Sequence, residues 1–187
     1  MAAVFQHCSL RGACIGLFVV ASTAAMADDA PPAQIKLLAP IRYAPQANAT
    51  SAVRAECELE KSLQTDLLAA LRTHGREVET VTSTDSGRVL EVLIQRVESP
   101  GSQWTGPKML SLTVRSYKDG KSDHLKMLSA WGRGGVNIFA NVCYVLHQNS
   151  RSLAEQVAGW LDELDQSASE KADAARVPSN AASMTIR

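Results

Sequence analysis

The fold of this chain is decided by residues 141–164, NVCYVLHQNSRSLAEQVAGWLDEL. Apolar and small side chains recur there at alternating spacings of three and four residues, which is the pattern of an amphipathic helix with one buried face. That face consists of Cys143, Leu146, Ser150, Leu153, Val157, Trp160 and Leu164. Because Cys143 stands at the head of this face, we expect its thiol to point toward a neighbouring element.

Residues 1–27 have the pattern of a secretory signal peptide. One positive charge, Arg11, precedes an uncharged run whose apolar core is too short to cross a membrane. Ala25-Met26-Ala27 supplies the small residues that signal peptidase needs before its cut. We therefore expect a cleaved signal peptide, a periplasmic or secreted protein, and no stable membrane span after processing.

The composition of the processed chain limits the classes of partner it can bind and indicates the state of its cysteines. Cleavage leaves one basic residue fewer than the 19 Lys and Arg of the full sequence, against 19 acidic residues, for a formal charge near −1. Such a balance argues against a nucleic-acid partner. The two remaining cysteines, Cys57 and Cys143, are an even number outside the reducing cytosol, which favours a disulfide over a metal site.

A second helix is predicted over residues 55–74. Its leucines share one side and acidic side chains crowd its first turns, while Arg72 and His74 close it before Gly75, as the helix dipole prefers. Cys57 falls near the margin of the buried face, within reach of a neighbouring helix. The sequence therefore predicts that a Cys57–Cys143 disulfide ties the two helices together.

Three segments before residue 100 have the composition of strands. Residues 35–43 are apolar, but Pro40 requires an edge position or a break in the strand. Residues 77–84 predict a weak strand near an edge of the sheet. Residues 88–98 are the most apolar segment and predict a central strand that is covered on both faces at its start.

The dipeptide Asp119-Gly120 predicts a two-residue hairpin between residues 108–118 and 122–131. Such a loop pairs Lys118 with Lys121, and continuing that register separates an apolar face from a polar one that is open to solvent. The predicted apolar pairs are Val114 with Leu125, Leu112 with Met127 and Leu110 with Ser129, and the same register puts Trp131 on the apolar side opposite Lys108.

These elements predict an α+β fold in two layers. A mostly antiparallel sheet of about five strands carries two helices on one face, linked by the disulfide. A single domain is expected over residues 35–164, after an extended leader at residues 28–34. Residues 165–187 are rich in Ala, Ser and charge with almost no large apolar side chains, so we expect a disordered tail.

Several motifs together resemble an uncharacterised family of small secreted bacterial proteins with two cysteines and no known activity. The segments that carry the resemblance span most of residues 35–164. They are Val53-Arg54-Ala55-Glu56-Cys57, Trp104-Thr105-Gly106-Pro107-Lys108, and the glycine run at residues 132–135 followed by Cys143 and Trp160-Leu161. The resemblance implies a secreted protein and supplies no mechanism.

The candidate sites are few. The run Gly132-Arg133-Gly134-Gly135 precedes a helix and has the ingredients of an anion site, although glycines there also let the chain turn from strand to helix. Three further residues are candidate contacts for a partner: Trp104 in a loop, which could instead pack over the end of the sheet, and the predicted cross-strand pair Arg115 and His124 on the polar face.

No catalytic, cofactor or metal motif stands out. Gly120-Lys121-Ser122 lacks the earlier glycine of a phosphate loop and closes a hairpin. Cys143 and His147 lie one helical turn apart, but zinc needs about four ligands. We therefore predict no cofactor and no metal.

The first functional hypothesis is a noncatalytic, envelope-associated module that binds an envelope protein or another macromolecule. The alternative is a small-molecule or lipid-binding protein with a pocket between the helices and the sheet. An enzyme, such as a hydrolase with dispersed catalytic residues, is the last hypothesis because no nucleophile motif is present.

Overall fold

The computed structural model describes residues 34–99, 107–133 and 142–176. These residues form a sheet of six strands with three helices, and the α+β class is confirmed. In chain order the elements are β1 (Gln34–Leu38), β2 (Arg42–Tyr43), α1 (Ser51–Cys57), α2 (Leu59–Thr73), β3 (Glu77–Val81), β4 (Arg88–Glu98), β5 (Pro107–Lys118), β6 (Lys121–Arg133) and α3 (Val142–Arg176).

The sheet is mixed, whereas the sequence predicted a mostly antiparallel one. Its order is β3-β1-β4-β5-β6, with β2 added beside β4. The strand β1 runs parallel to both β3 and β4, and β4, β5 and β6 are antiparallel. The parallel pairing of β1 with β3 follows from the helical connection between them, because a crossover through a helix returns the chain in the same direction. The predicted break at Pro40 separates β1 from β2, and the predicted positions of β3 at an edge and β4 inside the sheet are confirmed.

The predicted helix 55–74 is two helices. Thr50 caps α1, since its hydroxyl accepts a hydrogen bond from the Val53 amide at 3.3 Å. Glu58 then adopts a left-handed conformation with φ of 42°, which ends α1 and starts α2 in a new direction. The spacing of apolar residues cannot reveal a single left-handed residue. The sequence therefore predicted two helices where the described residues form three.

The two layers meet in a closed core. One face of the sheet, here called the covered face, packs against α2 and α3. Trp160 is buried in this core, as its spacing predicted. The sheet contributes Ile35, Leu37, Leu90, Val92, Ile94, Leu110, Leu112 and Val114, and the helices contribute Leu63, Leu67, Leu71, Leu146, Leu153, Val157 and Leu161.

The helix α3 continues beyond Leu164, where the sequence predicted the domain to end. Residues 165–176 are helical, in contrast to the predicted disordered tail, and residues 177–187 lie outside the described part. The extension begins with an anchored turn, because Asp165 forms ion pairs with Arg76 and Arg88. The signal peptide and most of the leader also lie outside the described residues, and their boundaries stay predictions.

The hairpin turn was predicted correctly, but the register beyond it was not. Asp119 and Gly120 both have positive φ, and Lys118 pairs with Lys121. A β-bulge then leaves Asp123 unpaired, because Tyr117 pairs with Ser122 and Ser116 with His124. From that point the register is shifted by one residue, and each side chain of β6 points to the opposite face from the one predicted.

Candidate functional site

The bulge places three large apolar side chains on the face of the sheet that none of the described helices covers, here called the open face. Leu125 lies opposite Arg115, Met127 opposite Thr113 and Trp131 opposite Met109, whereas the sequence predicted all three β6 residues on the apolar face. Their exposed fractions are 57%, 63% and 61%. We call Leu125, Met127 and Trp131 the apolar stripe. An exposed row of this kind on a small domain is typical of an interaction surface.

A groove of about 610 Å³ lies on the open face beside the apolar stripe. Amide, hydroxyl and thioether groups form most of its lining, so it offers both hydrogen-bonding groups and adaptable apolar surface. The lining residues are Gln46, Asn48, Gln95, Arg96, Met109, Ser111, Met127 and Ser129.

The walls of the groove are held by hydrogen bonds. The Asn48 side-chain oxygen accepts from the Val97 amide at 2.9 Å, which fixes the segment between β2 and α1 beside β4. On the floor, the Ser129 hydroxyl donates to the Ser111 hydroxyl at 3.0 Å, and Ser111 donates to the Leu128 carbonyl at 3.2 Å. The groove therefore has a defined shape before any partner arrives.

The open face also carries a polar network on β4 and β5 whose members are paired with one another. Arg115 Nη1 lies 3.2 Å from Glu91 Oε2 and 3.1 Å from the Tyr117 hydroxyl, which in turn donates to Glu91 at 2.9 Å. Arg115 is thus placed on the open face as predicted, but its charge is already shared with Glu91. The apolar stripe, rather than this network, is the exposed unpaired surface.

The predicted pair of Arg115 and His124 is not formed. His124 lies opposite Ser116, one register position away, so it belongs to the other side of the sheet from Arg115. Its imidazole is half exposed and lies 3.9 Å from the Asp123 carboxylate. Trp104 lies outside the described residues, so its role as a partner contact stays a prediction.

The predicted disulfide is confirmed. The sulfur atoms of Cys57 and Cys143 are 1.98 Å apart and their Cα atoms 5.0 Å apart. The residue that sequence spacing offered as a metal ligand has another role, since His147 Nε2 lies 2.7 Å from the Cys57 carbonyl oxygen and donates to it. Within the described ranges, no group of three His, Cys, Asp or Glu side chains is arranged to hold a metal.

The structure gives Gly132 a packing role. A Cβ atom at this position would lie 2.4 Å from Val145 Cγ1 and 3.0 Å from Asn149 Oδ1, so only glycine lets α3 approach β6 this closely. Arg133 ends β6, while Gly134 and Gly135 lie outside the described residues. The anion site at residues 132–135 stays a prediction.

A cluster of charged side chains joins α3 to the end of α2 and the start of β3. Asp162 accepts from Arg76 at 2.6 Å and lies 2.6 Å from His74 Nδ1, and Arg76 also pairs with Asp165 at 2.7 Å. The hydrogen bond with Asp162 raises the pKa of His74 above its ordinary value. Burial alone would raise the pKa of Asp162, but the hydrogen bonds from His74 and Arg76 outweigh it and the pKa is lowered.

Sequence reasoning missed the apolar stripe and the groove for one reason. The pairing that gathers most apolar side chains on one face puts Leu125 and Met127 into the core, and hydrophobic alternation fits that register as well as the observed one. Lys126 gave no warning, because a charged residue fits the polar face of the predicted register, whereas in the structure it lies opposite Val114 on the covered side and remains exposed at the margin of the sheet.

The chain matches no family model and no curated protein. A solved structure of a Xanthomonas campestris protein of family DUF330 shares its fold, with a TM-score of 0.51 at 15% identity, covering 76% of this chain and 93% of that one. A minor lipoprotein from Acinetobacter baumannii gives 0.47 at 16% identity, with coverage of 71% and 94%. The PelC dodecamer from Paraburkholderia phytofirmans gives 0.45 at 12% identity, with coverage of 67% and 89%.

At 15% identity the likeness to the Xanthomonas protein concerns the fold alone. The resemblance to an uncharacterised secreted family stays a prediction. Among the described helices, none combines the length and the apolar character that crossing a membrane requires.

Proposed function

We propose that this protein is a noncatalytic, envelope-associated interaction module that binds an extended segment of another envelope protein on the open face of its sheet. The observation that carries the proposal is the apolar stripe beside a preformed groove, because large apolar side chains on a small domain need a partner to leave water.

The lining of the groove favours a peptide as the ligand. Side-chain amides such as Gln46 and Gln95 can both donate to and accept from a peptide backbone, while Met109 and Met127 provide flexible apolar contact. An extended segment alternates its side chains, so it can place apolar ones on the stripe and direct polar ones toward the groove.

The alternative, a ligand pocket between helices and sheet, has less support. The side chains that meet in that layer are fully buried against one another, as expected for a close-packed core. They include Leu63, Leu67, Leu90, Leu112, Leu146 and Leu153.

Site-specific photocrosslinking in the native envelope tests the proposal. A benzophenone amino acid at Met127 should give an adduct with one other envelope protein, and the same probe at Gln156, exposed on α3, should not. Met127→Glu should weaken binding of the captured protein while the melting temperature is unchanged. No adduct at Met127, or the same adducts at both positions, would contradict the proposal.

Export is tested separately by the mass of the protein recovered from the envelope fraction. We expect a mature chain that starts at Asp28 and contains the Cys57–Cys143 disulfide. Recovery of a chain that retains residues 1–27 would contradict the proposed location in the envelope.

A further inference from the structure

One wall of the groove on the open face offers more hydrogen-bond donors than acceptors. The side-chain oxygen of Asn48 accepts from the Val97 amide at 2.9 Å, and that of Gln95 accepts from the Thr113 hydroxyl at 3.3 Å. Neither side-chain NH2 group has a hydrogen-bond partner in the described part of the chain. The groups that these two carboxamides leave for a ligand are therefore donors.

Two guanidinium groups add positive charge on this side of the groove. Arg96 lines the groove with a side chain that is 58% exposed, and it forms an ion pair with Glu98. Arg42 lies next to the wall, because β2 pairs in parallel with β4 and places Arg42 opposite Leu93 on the open face. Arg42 is exposed and forms no ion pair with a described residue. Since only one of the two guanidinium groups is compensated, this side of the groove attracts an anion.

The floor and the opposite wall of the groove have a different chemistry. The hydroxyl hydrogens of Ser111 and Ser129 are both used within the floor, so Ser129 offers its oxygen as an acceptor. Beyond the floor, Leu125 and Met127 present apolar surface to solvent. Because β5 separates β4 from β6, the donors on β4 and the apolar stripe on β6 are about 10 Å apart. A segment that lies over β5 can therefore contact both.

We propose that the segment bound on the open face carries an acidic side chain, whose carboxylate is held by Asn48, Gln95 and Arg96, here called the donor wall. An ionised carboxylate has acceptor oxygens only, so it matches a wall of donors. Hydrogen bonds in which one partner is charged are also stronger than neutral ones. This inference rests on the proposed function, because it names the chemistry of the same bound segment.

The dimensions of the groove place the acidic residue between two apolar ones. An extended segment turns successive side chains to opposite sides, so a residue that faces the donor wall has two neighbours that face the apolar stripe. These neighbours are about 6.6 Å apart, which is also the separation of residues two positions apart on a strand, such as Leu125 and Met127. The stripe extends past the groove in both directions, to Leu125 and to Trp131, so the carboxylate belongs to a side chain within the segment rather than to a chain terminus.

Selection of peptides by the full mature protein tests the composition of the segment. The probe is a library of random heptapeptides that are displayed through their carboxyl ends, so none of them offers a free terminal carboxylate. Peptides that bind the unmodified protein but not Met127→Glu should carry Asp or Glu between two apolar residues. Bound peptides without enrichment of an acidic residue would overturn the inference and would still support the proposed function. If no peptide is bound, the proposed function fails and the inference fails with it.

Two isosteric substitutions test the donor wall itself. Asn48→Asp and Gln95→Glu each keep the oxygen that accepts a hydrogen bond within the protein and replace the free NH2 group with a charged oxygen. Each should weaken binding of a selected peptide by roughly tenfold, measured by fluorescence anisotropy, because it opposes two carboxylates. The loss should be much smaller for an analogue of the peptide in which glutamine replaces the acid. Gln156→Glu makes the same change on the exposed side of α3 and should leave both affinities unchanged.

Glu98→Gln should act in the opposite direction. It removes the carboxylate that competes for Arg96, so the affinity for the acidic peptide should rise by roughly threefold while that for the glutamine analogue stays the same. Melting temperatures show that each variant is folded, and the wall is tested on two separate segments by Asn48→Asp and Gln95→Glu. Equal effects of the three groove substitutions on both peptides would overturn the inference. A photocrosslinked adduct at Met127 would still support the proposed function in that case, so the two can fail separately.

Discussion

At its amino-terminal end, α3 is held by the Cys57–Cys143 disulfide, while near Asp162 the same helix is held by ion pairs with His74, Arg76 and Arg88 through its carboxylates. The first contact is covalent and independent of pH and salt. The second depends on charge, and at its centre Arg76 is 5% exposed while Asp162 is 36% exposed.

The comparison shows how one helix combines two kinds of attachment. A disulfide limits the unfolded chain, and its effect is lost only when the bond is reduced. The ionic cluster compensates a buried guanidinium, so its main effect appears when the carboxylates are taken away and the charge remains. Reductant and pH should therefore act on opposite ends of α3.

The largest expected effect is at the covalent end. Cys57→Ser with Cys143→Ser should lower the free energy of unfolding by about 4–5 kcal/mol, because the bond closes a long loop. Denaturant titration measures the loss, and the unmodified protein in reductant should match the double variant. An unchanged midpoint in reductant would contradict a stabilising role for the bond.

At the ionic end, Asp162→Ala with Asp165→Ala should cost about 3 kcal/mol, since Arg76 would stay buried without a carboxylate. Glu163→Ala, which removes an exposed acid of the same helix that is not part of the cluster, is the control and should cost less than about 0.5 kcal/mol. Adding Arg76→Met to the double variant should recover part of the loss. If the addition instead lowers stability further, Arg76 contributes through packing rather than charge.

Close packing near the covalent end predicts an intermediate effect. Gly132→Ala should cost about 2 kcal/mol, because the new methyl group would overlap Val145 and push α3 from the sheet. In a Val145→Ala background the same substitution should cost clearly less. Equal costs in both backgrounds would show that the close approach does not determine the effect.

The smallest effect concerns His74 and depends on pH. Since its pKa is raised in the folded protein, its contribution is fully present below the unfolded pKa, about 6.5, and is lost as the pH rises through the higher folded value. His74→Ala should therefore destabilise by at most about 1 kcal/mol at pH 6 and by less at pH 9. Thermal unfolding across this range measures the difference, which should not depend on reductant.

The elements that follow a strong periodicity were predictable from sequence. The buried face of α3 and the position of the disulfide both follow from spacings of three and four, and the turn at Asp119-Gly120 follows from residues that accept positive φ. The helix face and the turn depend on residues that are close together in the chain. The disulfide was predictable because the processed chain has a single pair of cysteines.

The features that could not be predicted each depend on a single residue or a distant contact. One unpaired residue, Asp123, inverts the faces of most of β6, and one left-handed residue, Glu58, divides a helix. The helical extension after Leu164 begins at Asp165, which forms ion pairs with Arg76 and Arg88. Because these arginines are distant in sequence, the local composition alone predicted disorder. The apolar stripe on the open face was missed because it follows from the bulge at Asp123.

The disulfide closes a covalent ring that contains β3, β4, β5 and β6, yet the strand between β3 and β4 comes from outside that ring. β1 is also made first, because a chain is synthesised from its amino end, and both of its neighbours follow only at residues 77–98. The apolar side chains of Ile35 and Leu37 therefore lack their neighbouring strands until β3 and β4 have been synthesised. An unfinished chain is therefore most prone to aggregate, or to recruit a chaperone, through its earliest strand.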